Sequence, residues 1–459
     1  MLPTFAKKSE TAIPIHVVES DSLKTISMEL NIEDWVNINQ FKASLGNILI
    51  VPASNGLISC VLVGWGTEGA RSRGRFHMGA AASQLPNGTY EIVSGLSGKE
   101  LENAHLAWVL SSYCFDRYKK KHIQSAKLKP SKDIDTKRIL IEAEGDFITR
   151  DLVNTPTNDM GPDALEKAFC DLAQKHNAKT NIIKGEALLD QNFPMIHAVG
   201  RASDQQPRLL DMQWGENNNP KITLVGKGVC FDTGGLNIKP TASMGLMKKD
   251  MGGSATVLGL AHMIMSLNLK VNLRVIIPAV ENSISSNSFR PQDILISRKG
   301  MSVEINHTDA EGRLILADAL SLADEDKPDL LICNATLTGA ARVALGPDMP
   351  PFFTDDDELA DQIQKASIEN VDPLWRMPFW APYESLIEPE VADLDNAPKG
   401  GFAGAITAAL FLRRFVEKSK YFVHFDLFAW SPVHKPSQTQ GGACQSARAM
   451  LSVIEKRYE

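Results

Sequence analysis

The hydrophobic pattern of the chain alternates between short apolar runs and longer segments at helical spacing. Residues 12–18, 47–52 and 57–63 read as strands. Residues 101–121 carry apolar positions at helical spacing and end in Lys119-Lys120-Lys121, a basic run that suits a helix C-terminus, where cations meet the negative end of the dipole. A polar stretch at 127–137 is broken by Pro130. Gly161-Pro162 then opens a helix running to His176, and 180–183 and 208–214 are strand-like. From residue 221 the alternation is regular, with strands at 221–225, 271–280, 302–306 and 329–334 and helices at 252–267 and 312–323. Strands alternating with helices predict a mostly parallel central sheet covered by helices. The expected fold class is α/β: a smaller N-terminal α/β domain over 1–130, a linker over 131–145, and a larger α/β domain over 146–459.

Composition narrows the class. At 459 residues, 43% hydrophobic and 22% charged, the chain reads as a globular protein of two or more domains. No apolar run reaches the ~20 residues of a membrane span, and no secretory signal is evident at the N-terminus. Six cysteines without paired spacing point to reduced thiols and a cytoplasmic location. A net charge of −7 argues against nucleic acid as a partner. The acidic run at 355–358 reads as a solvated helix start.

The chemistry concentrates between 225 and 316, where charged residues stand among glycines and apolar runs. Charges are rarely buried unless paired or bound to metal, so this setting asks for a site. Ligands of parallel sheets gather beyond the strands' carboxyl ends, and Lys227, Asp232 and Asp309 all follow predicted strand ends. Asp232, Asp250, Asp309 and Glu311 offer four carboxylates that would repel one another without counter-charge. A pair of divalent cations resolves this, and could polarise a carbonyl and activate a water. Of Lys227 and Lys239, one could be a counter-ion or neutral amine ligand and the other could stabilise an oxyanion. Asp309, Glu311 and Arg313 alternate, so an extended backbone would aim all three to one side. Against this stand blander readings: Asp250 as a helix N-cap, and Lys248 and Lys249 as surface residues. The glycines at 226, 228, 234 and 235 lack dinucleotide-loop spacing. His424 beside Asp426 reads as structural, Cys230 as a small buried hydrophobe, and Trp375, Trp380 and Trp430 as core or subunit contacts.

The stretch Val225-Gly226-Lys227-Gly228-Val229-Cys230-Phe231-Asp232-Thr233-Gly234-Gly235 and the run Thr308-Asp309-Ala310-Glu311-Gly312-Arg313-Leu314 resemble the leucyl aminopeptidase family of two-metal cytosolic exopeptidases. Lys239-Pro240, 247–253 and 334–340 extend the resemblance, which covers roughly 145–455 and makes the C-terminal domain a metallopeptidase domain. It implies that Lys227, Asp232, Asp250 and Glu311 hold a tighter metal. Asp232, Asp309 (through its side chain and main-chain carbonyl) and Glu311 would hold a more exchangeable one. The ions would be Zn or Mn, with Mg a further candidate. Lys239 would stabilise the tetrahedral intermediate, and Arg313 would hold a bicarbonate acting as general base. Met247, Thr336, Leu337 and Gly339 would line an apolar pocket favouring Leu- or Met-like first residues of short peptides. The resemblance also implies a homohexamer. Two departures stand out: His307 replaces the family's usual Asn, and Gln292 stands where Gly is usual. A changed packing at His307 is the favoured reading, an altered metal preference the other. The rival functions are a DNA-binding regulator on the same scaffold, a catalytically inactive relative, and another two-metal hydrolase such as a phosphoesterase.

Overall fold

The computed structural model describes residues 3–120 and 126–458 and divides into two compact units. The first comprises Met1–Glu144 with Val433–Gln440, the second Gly145–Pro432 with Gly441–Glu459.

The first unit is built on five strands, β1 (Ile13–Glu19), β2 (Ile48–Pro52), β3 (Ile58–Gly66), β4 (Gly88–Ser94) and β5 (Ala126–Leu128), in the order β2-β3-β1-β4-β5. All neighbours are parallel except β2 and β3. Ile15, Val61, Val63, Tyr90 and Ile92 pack with Trp108 of the helix Gly98–Ser111. That helix stops well before the basic run expected to end it. The Ser111 and Ser112 hydroxyls donate back to the carbonyls of Trp108 and Val109, closing the last turn, and Lys119 and Lys120 lie exposed beyond it. Lys121 lies outside the described residues.

The segment expected as a linker is helical from Thr136, the start of a helix reaching Asn154. Its amphipathic signal was masked by charge on the buried side: Asp146 and Arg150 are buried and paired at 2.5 Å, and Arg448 joins Asp146 at 3.2 Å.

The second unit holds a mixed sheet whose centre is parallel. Its strands are β6 (Lys179–Lys184), β7 (Arg208–Trp214), β8 (Lys221–Gly226), β9 (Gly228–Asp232), β10 (Asn272–Asn282), β13 (Leu330–Ala335), β14 (Pro351–Phe353), β15 (Trp375–Arg376) and β17 (Phe422–Asp426). Between β6 and β15 the order is β6-β7-β10-β8-β13-β17-β14-β15, with β9 pairing β10. The four central strands, β10, β8, β13 and β17, run parallel, while β7 and β14 pair antiparallel to them at the flanks. A small separate sheet joins β11 (Ile294–Ile296), β12 (Ser302–Glu304) and β16 (Leu394–Asp395).

Alternation along β8 shows how the two faces are covered. Val225 packs in one cluster with Leu331, Cys333 and the apolar residues of the helix Gly312–Glu325. Gly226 turns to the other face, where a Cβ would lie 2.6 Å from Val257 of the helix Gly252–Leu267. No helix among the described residues is long and apolar enough to cross a membrane. All six cysteines are unpaired, with Cys230 fully buried. His424 is buried, its Nδ1 3.2 Å from the carbonyl of Cys333. Trp375 and Trp380 are each 51% exposed, so neither is core.

The helix Gly252–Leu267 also carries a buried histidine with a stability consequence. His262 Nδ1 lies 3.1 Å from His176 Nε2, and burial, helped by Lys175 and His176, lowers its pKa to about 3. The unfolded chain therefore binds a proton at His262 that the folded chain rejects. The stability this histidine contributes is complete above its ordinary pKa and drains away as pH falls toward 3. Denaturant unfolding between pH 7 and 4 should lose about 1.4 kcal/mol per pH unit from this group, and His262→Gln should flatten that slope. An unchanged slope would place the acid sensitivity elsewhere.

Candidate metal centre

Glycine geometry at the carboxyl ends of the central strands gathers the charged residues. Lys227 follows β8 directly, its N–H donating to the Asn334 carbonyl and its own carbonyl accepting from Ser254, both at 2.9 Å. Asp232 ends β9, and the next turn passes through Gly234 and Gly235 at φ 88° and 63°, in the left-handed region that glycine adopts without steric cost. A Cβ at Gly235 would meet Thr308 and Asn282 at about 3 Å. Asp250 sits in the 3-10 turn Met247–Met251, so it is not simply an N-cap. Its Oδ1 accepts from the Thr336 hydroxyl at 2.9 Å.

Glu311 precedes the helix Gly312–Glu325 with helical backbone angles, and Arg313 lies inside that helix. The alternating, extended arrangement expected for Asp309, Glu311 and Arg313 is therefore replaced by a turn entering a helix. All three still border the same site.

Oxygens of Asp232, Asp309 and Glu311 lie within 4.8 Å of one another. Asp250 reaches the group through Lys227, whose Nζ stands 2.8 Å from Asp250 Oδ2, 2.9 Å from Glu311 Oε1 and 2.9 Å from the Thr336 carbonyl. Lys239 Nζ bridges Asp232, at 2.8 Å, and Asp309. Two ammonium groups thus face four carboxylates. Burial, and then the neighbouring Asp232 charge, push both Asp309 and Glu311 well above the usual carboxylate range. Burial works to lower the two lysines, but Asp250 and Glu311 raise Lys227, and Asp232 raises Lys239. A donor set of converging, buried carboxylates with an amine beside them suits divalent cations, which would relieve the repulsion that lifts Asp309 and Glu311.

Arg313 is 8% exposed, and its Nε has no hydrogen-bond partner among the described residues. Burial lowers its pKa to about 10. A buried guanidinium with an unused donor at the edge of the cleft is prepared for an anion.

Several positioning residues escaped sequence reasoning. Asn282 Nδ2 donates to Asp232 Oδ1 at 2.8 Å and to the Thr308 carbonyl at 3.0 Å. Asn396, fully buried, donates to the His307 carbonyl at 2.8 Å and accepts from the Asn306 and His307 N–H groups. Both are amides on chain segments remote from the motifs, and nothing in the local pattern marks them. His307 is exposed, so its substitution is not one of packing. Its Nδ1 accepts the Asp309 N–H at 3.2 Å, which is how an Asn side chain would close the same turn. Gln292 holds φ 72°, a left-handed backbone natural to glycine, while its amide donates to Asn306 Oδ1 at 2.6 Å.

The cluster opens into a cleft of about 530 Å³, whose lining includes all four expected pocket residues, Met247, Thr336, Leu337 and Gly339. Asp426 holds the floor in place, accepting from the Leu337 and Thr338 N–H groups at 3.0 Å each. The same lining adds Lys249, Arg342 and Phe428. Lys249, expected at the surface, is buried, and Lys248 is half-buried with its Nζ donating to the Asn154 carbonyl at 2.7 Å.

Gly312 shows how tightly the site is built. A methyl there would lie 2.5 Å from Lys227 Cε, in a helical backbone that alanine otherwise accepts. Gly312→Ala should therefore fold, yet displace the Lys227 amine and lower kcat/KM about 100-fold. Unchanged kinetics would show that the Lys227 position is not critical.

Comparison with known proteins places this geometry. The catalytic-domain profile of the cytosol aminopeptidase family matches residues 147–451, and the M17 aminopeptidase N-terminal domain matches 13–130. A probable cytosol aminopeptidase of Rickettsia bellii is 33% identical over 451 residues, covering 92% of this chain and 90% of the relative. The cytosol aminopeptidase of Encephalitozoon cuniculi is 38% identical over 351 residues, with 74% and 72% covered. The crystal structure of the cytosol aminopeptidase from Coxiella burnetii superposes with a TM-score of 0.94 at 42% identity, covering 99% of each chain. The bottromycin maturation enzyme BotP, solved in complex with Mn, gives 0.88 at 27% identity, covering 98% of this chain and 100% of that one.

Proposed function

The chain belongs to the cytosol aminopeptidase family, whose members are metal-dependent aminopeptidases, and from that premise we propose which of its residues carry the reaction. Asp232, Asp250, Asp309, Glu311 and Lys227 would hold two divalent ions, with Lys227 as a neutral amine donor. The observation that supports this most is the convergence of Asp232, Asp309 and Glu311 within 4.8 Å, flanked by Lys227 and Lys239. When bound, the ions would polarise the scissile carbonyl and activate a water near neutral pH.

The chain's own groups do the rest. The Lys239 ammonium, kept charged by Asp232 against the effect of burial, stabilises the oxyanion. Arg313, whose buried Nε has no hydrogen-bond partner among the described residues, would hold a bicarbonate, which would supply a general base. Met247, Thr336, Leu337 and Gly339 pack against the first side chain of a short peptide. Manganese or zinc is the proposed metal; manganese is the ion in the BotP structure. Six unpaired thiols agree with a cytoplasmic protein. The exposed Trp375 and Trp380 would be covered between copies of a homohexamer, which sedimentation would show as six chains.

Metal binding must displace protons, because burial and Asp232 favour the neutral acids of Asp309 and Glu311. Both carboxylates are raised, so metal affinity should rise with pH through neutrality and fall below it by about tenfold per pH unit for each proton displaced. Calorimetric titration in buffers of different ionisation heat should show net proton release and two ions per chain. Binding without proton release would contradict this ligand set.

A further inference from the structure

The aminopeptidase cleft is not an apolar pocket alone. Lys249 lies two residues past Met247 in the turn Met247–Met251, and Arg342 lies one helical turn past Gly339 in the helix Gly339–Leu345. These separate elements bring both cations to one ring. Lys249 Nζ and Arg342 Cζ are each 5.1 Å from the centroid of Phe428. All three residues line the cleft that holds the carboxylate cluster.

The Lys249 side chain is buried, at 6% exposure, and neither its ammonium nor the Arg342 guanidinium has an ion pair or hydrogen bond among the described residues. This distinguishes them from Lys227 and Lys239, which are fully engaged by carboxylates. It also distinguishes them from Lys248, whose ammonium is held by a main-chain carbonyl. A cation withdrawn from water without a partner is costly to keep, and an aromatic face compensates only in part. An apolar first residue such as Leu would cover both cations without supplying a counter-charge. A side-chain carboxylate at the end of one or two methylenes would supply it, with the methylenes resting on Met247 and Phe428.

We propose that this aminopeptidase selects peptides whose N-terminal residue is acidic, the side-chain carboxylate being bound by Lys249 and Arg342 beside Phe428. The proposal rests on the aminopeptidase reading of the cleft and replaces the expected preference for Leu- or Met-like residues. It requires no change in the reaction. The bond broken is still the first peptide bond, and the products are the free acidic amino acid and the shortened peptide.

The test uses the full chain loaded with Mn²⁺ and a set of peptides X-Ala-Ala-Ala-amide, in which X is Glu, Gln, Asp, Leu or Met. The C-terminal amide leaves the first side chain as the only carboxylate. Glu and Gln are nearly isosteric, so kcat/KM for Glu should exceed that for Gln by about tenfold or more, because a charge-assisted contact is at stake. Lys249→Met and Arg342→Gln should each bring the Glu-to-Gln ratio down toward one, and Arg342→Lys should restore part of it. Arg342 is exposed, so its variants test the proposal even if Lys249→Met fails to fold. Equal rates for Glu and Gln in the parent protein, or a ratio unmoved by Arg342→Gln and Lys249→Met, would overturn the proposal. Leu or Met released faster than Glu would do the same while leaving the aminopeptidase reading intact. Release from none of the peptides would instead count against that reading itself.

Discussion

Glu311→Gln should abolish nearly all turnover, lowering kcat/KM by on the order of a thousandfold or more, while leaving the metal-free protein folded. Glu311 is 1% exposed, meets Asp232 and Asp309 within 4.8 Å, and pairs with Lys227 at 2.9 Å. It is the residue that links the Asp232–Asp309 side of the cluster to the Lys227–Asp250 side. The amide keeps the shape but loses one anionic donor, so the pair of ions should bind more weakly or with lower stoichiometry. In the metal-free protein the same change removes repulsion among carboxylates, while Lys227 keeps Asp250 as counter-charge. Its melting temperature should therefore not fall appreciably. Elemental analysis after gel filtration, read beside kcat/KM and a melting curve, checks all three parts. Full activity would remove Glu311 from the metal centre; a collapsed melting transition would make it structural.

Lys239→Met should separate metal binding from catalysis. Lys239 is held by Asp232 and Asp309, so removing its charge leaves those two carboxylates more repulsive and more in need of cations. Metal binding should persist at two ions per chain. The oxyanion loses its ammonium, which typically costs about 10²–10³ in kcat. KM should move much less, since the ground-state peptide is not the species Lys239 stabilises. A large rise in KM with kcat preserved would make Lys239 a binding residue instead.

Much of this centre was legible because its chemistry and its backbone share the same short motifs. The glycines whose close packing shapes the site are sequence neighbours of Lys227, Asp232 and Glu311, so Gly226, Gly234, Gly235 and Gly312 mark the site in the sequence. The helix Gly252–Leu267 and strand Arg208–Trp214 were likewise apparent from periodicity alone. What stayed hidden depends on contacts across distance. Asn282 and Asn396 act through side-chain hydrogen bonds to segments far along the chain. The helix Thr136–Asn154 buries charged residues satisfied by partners such as Arg448, so it reads as polar. Lys249 looked like a surface residue because lysine usually is one, and only the fold places it over Phe428. Arg342 carries no local signal either; it joins Lys249 only because separate turns converge on one ring.

The most direct test of the metal centre is release of the first amino acid from a short peptide with a free amine and from its N-acetylated form. The protein is first stripped with a chelator and then refilled with Mn²⁺, Zn²⁺ or Mg²⁺. Cleavage of the free-amine peptide only, dependent on metal and lost in Glu311→Gln, is the predicted result. Folded protein that binds two ions per chain yet releases nothing with any of them, or cleavage that survives complete removal of metal, would contradict it.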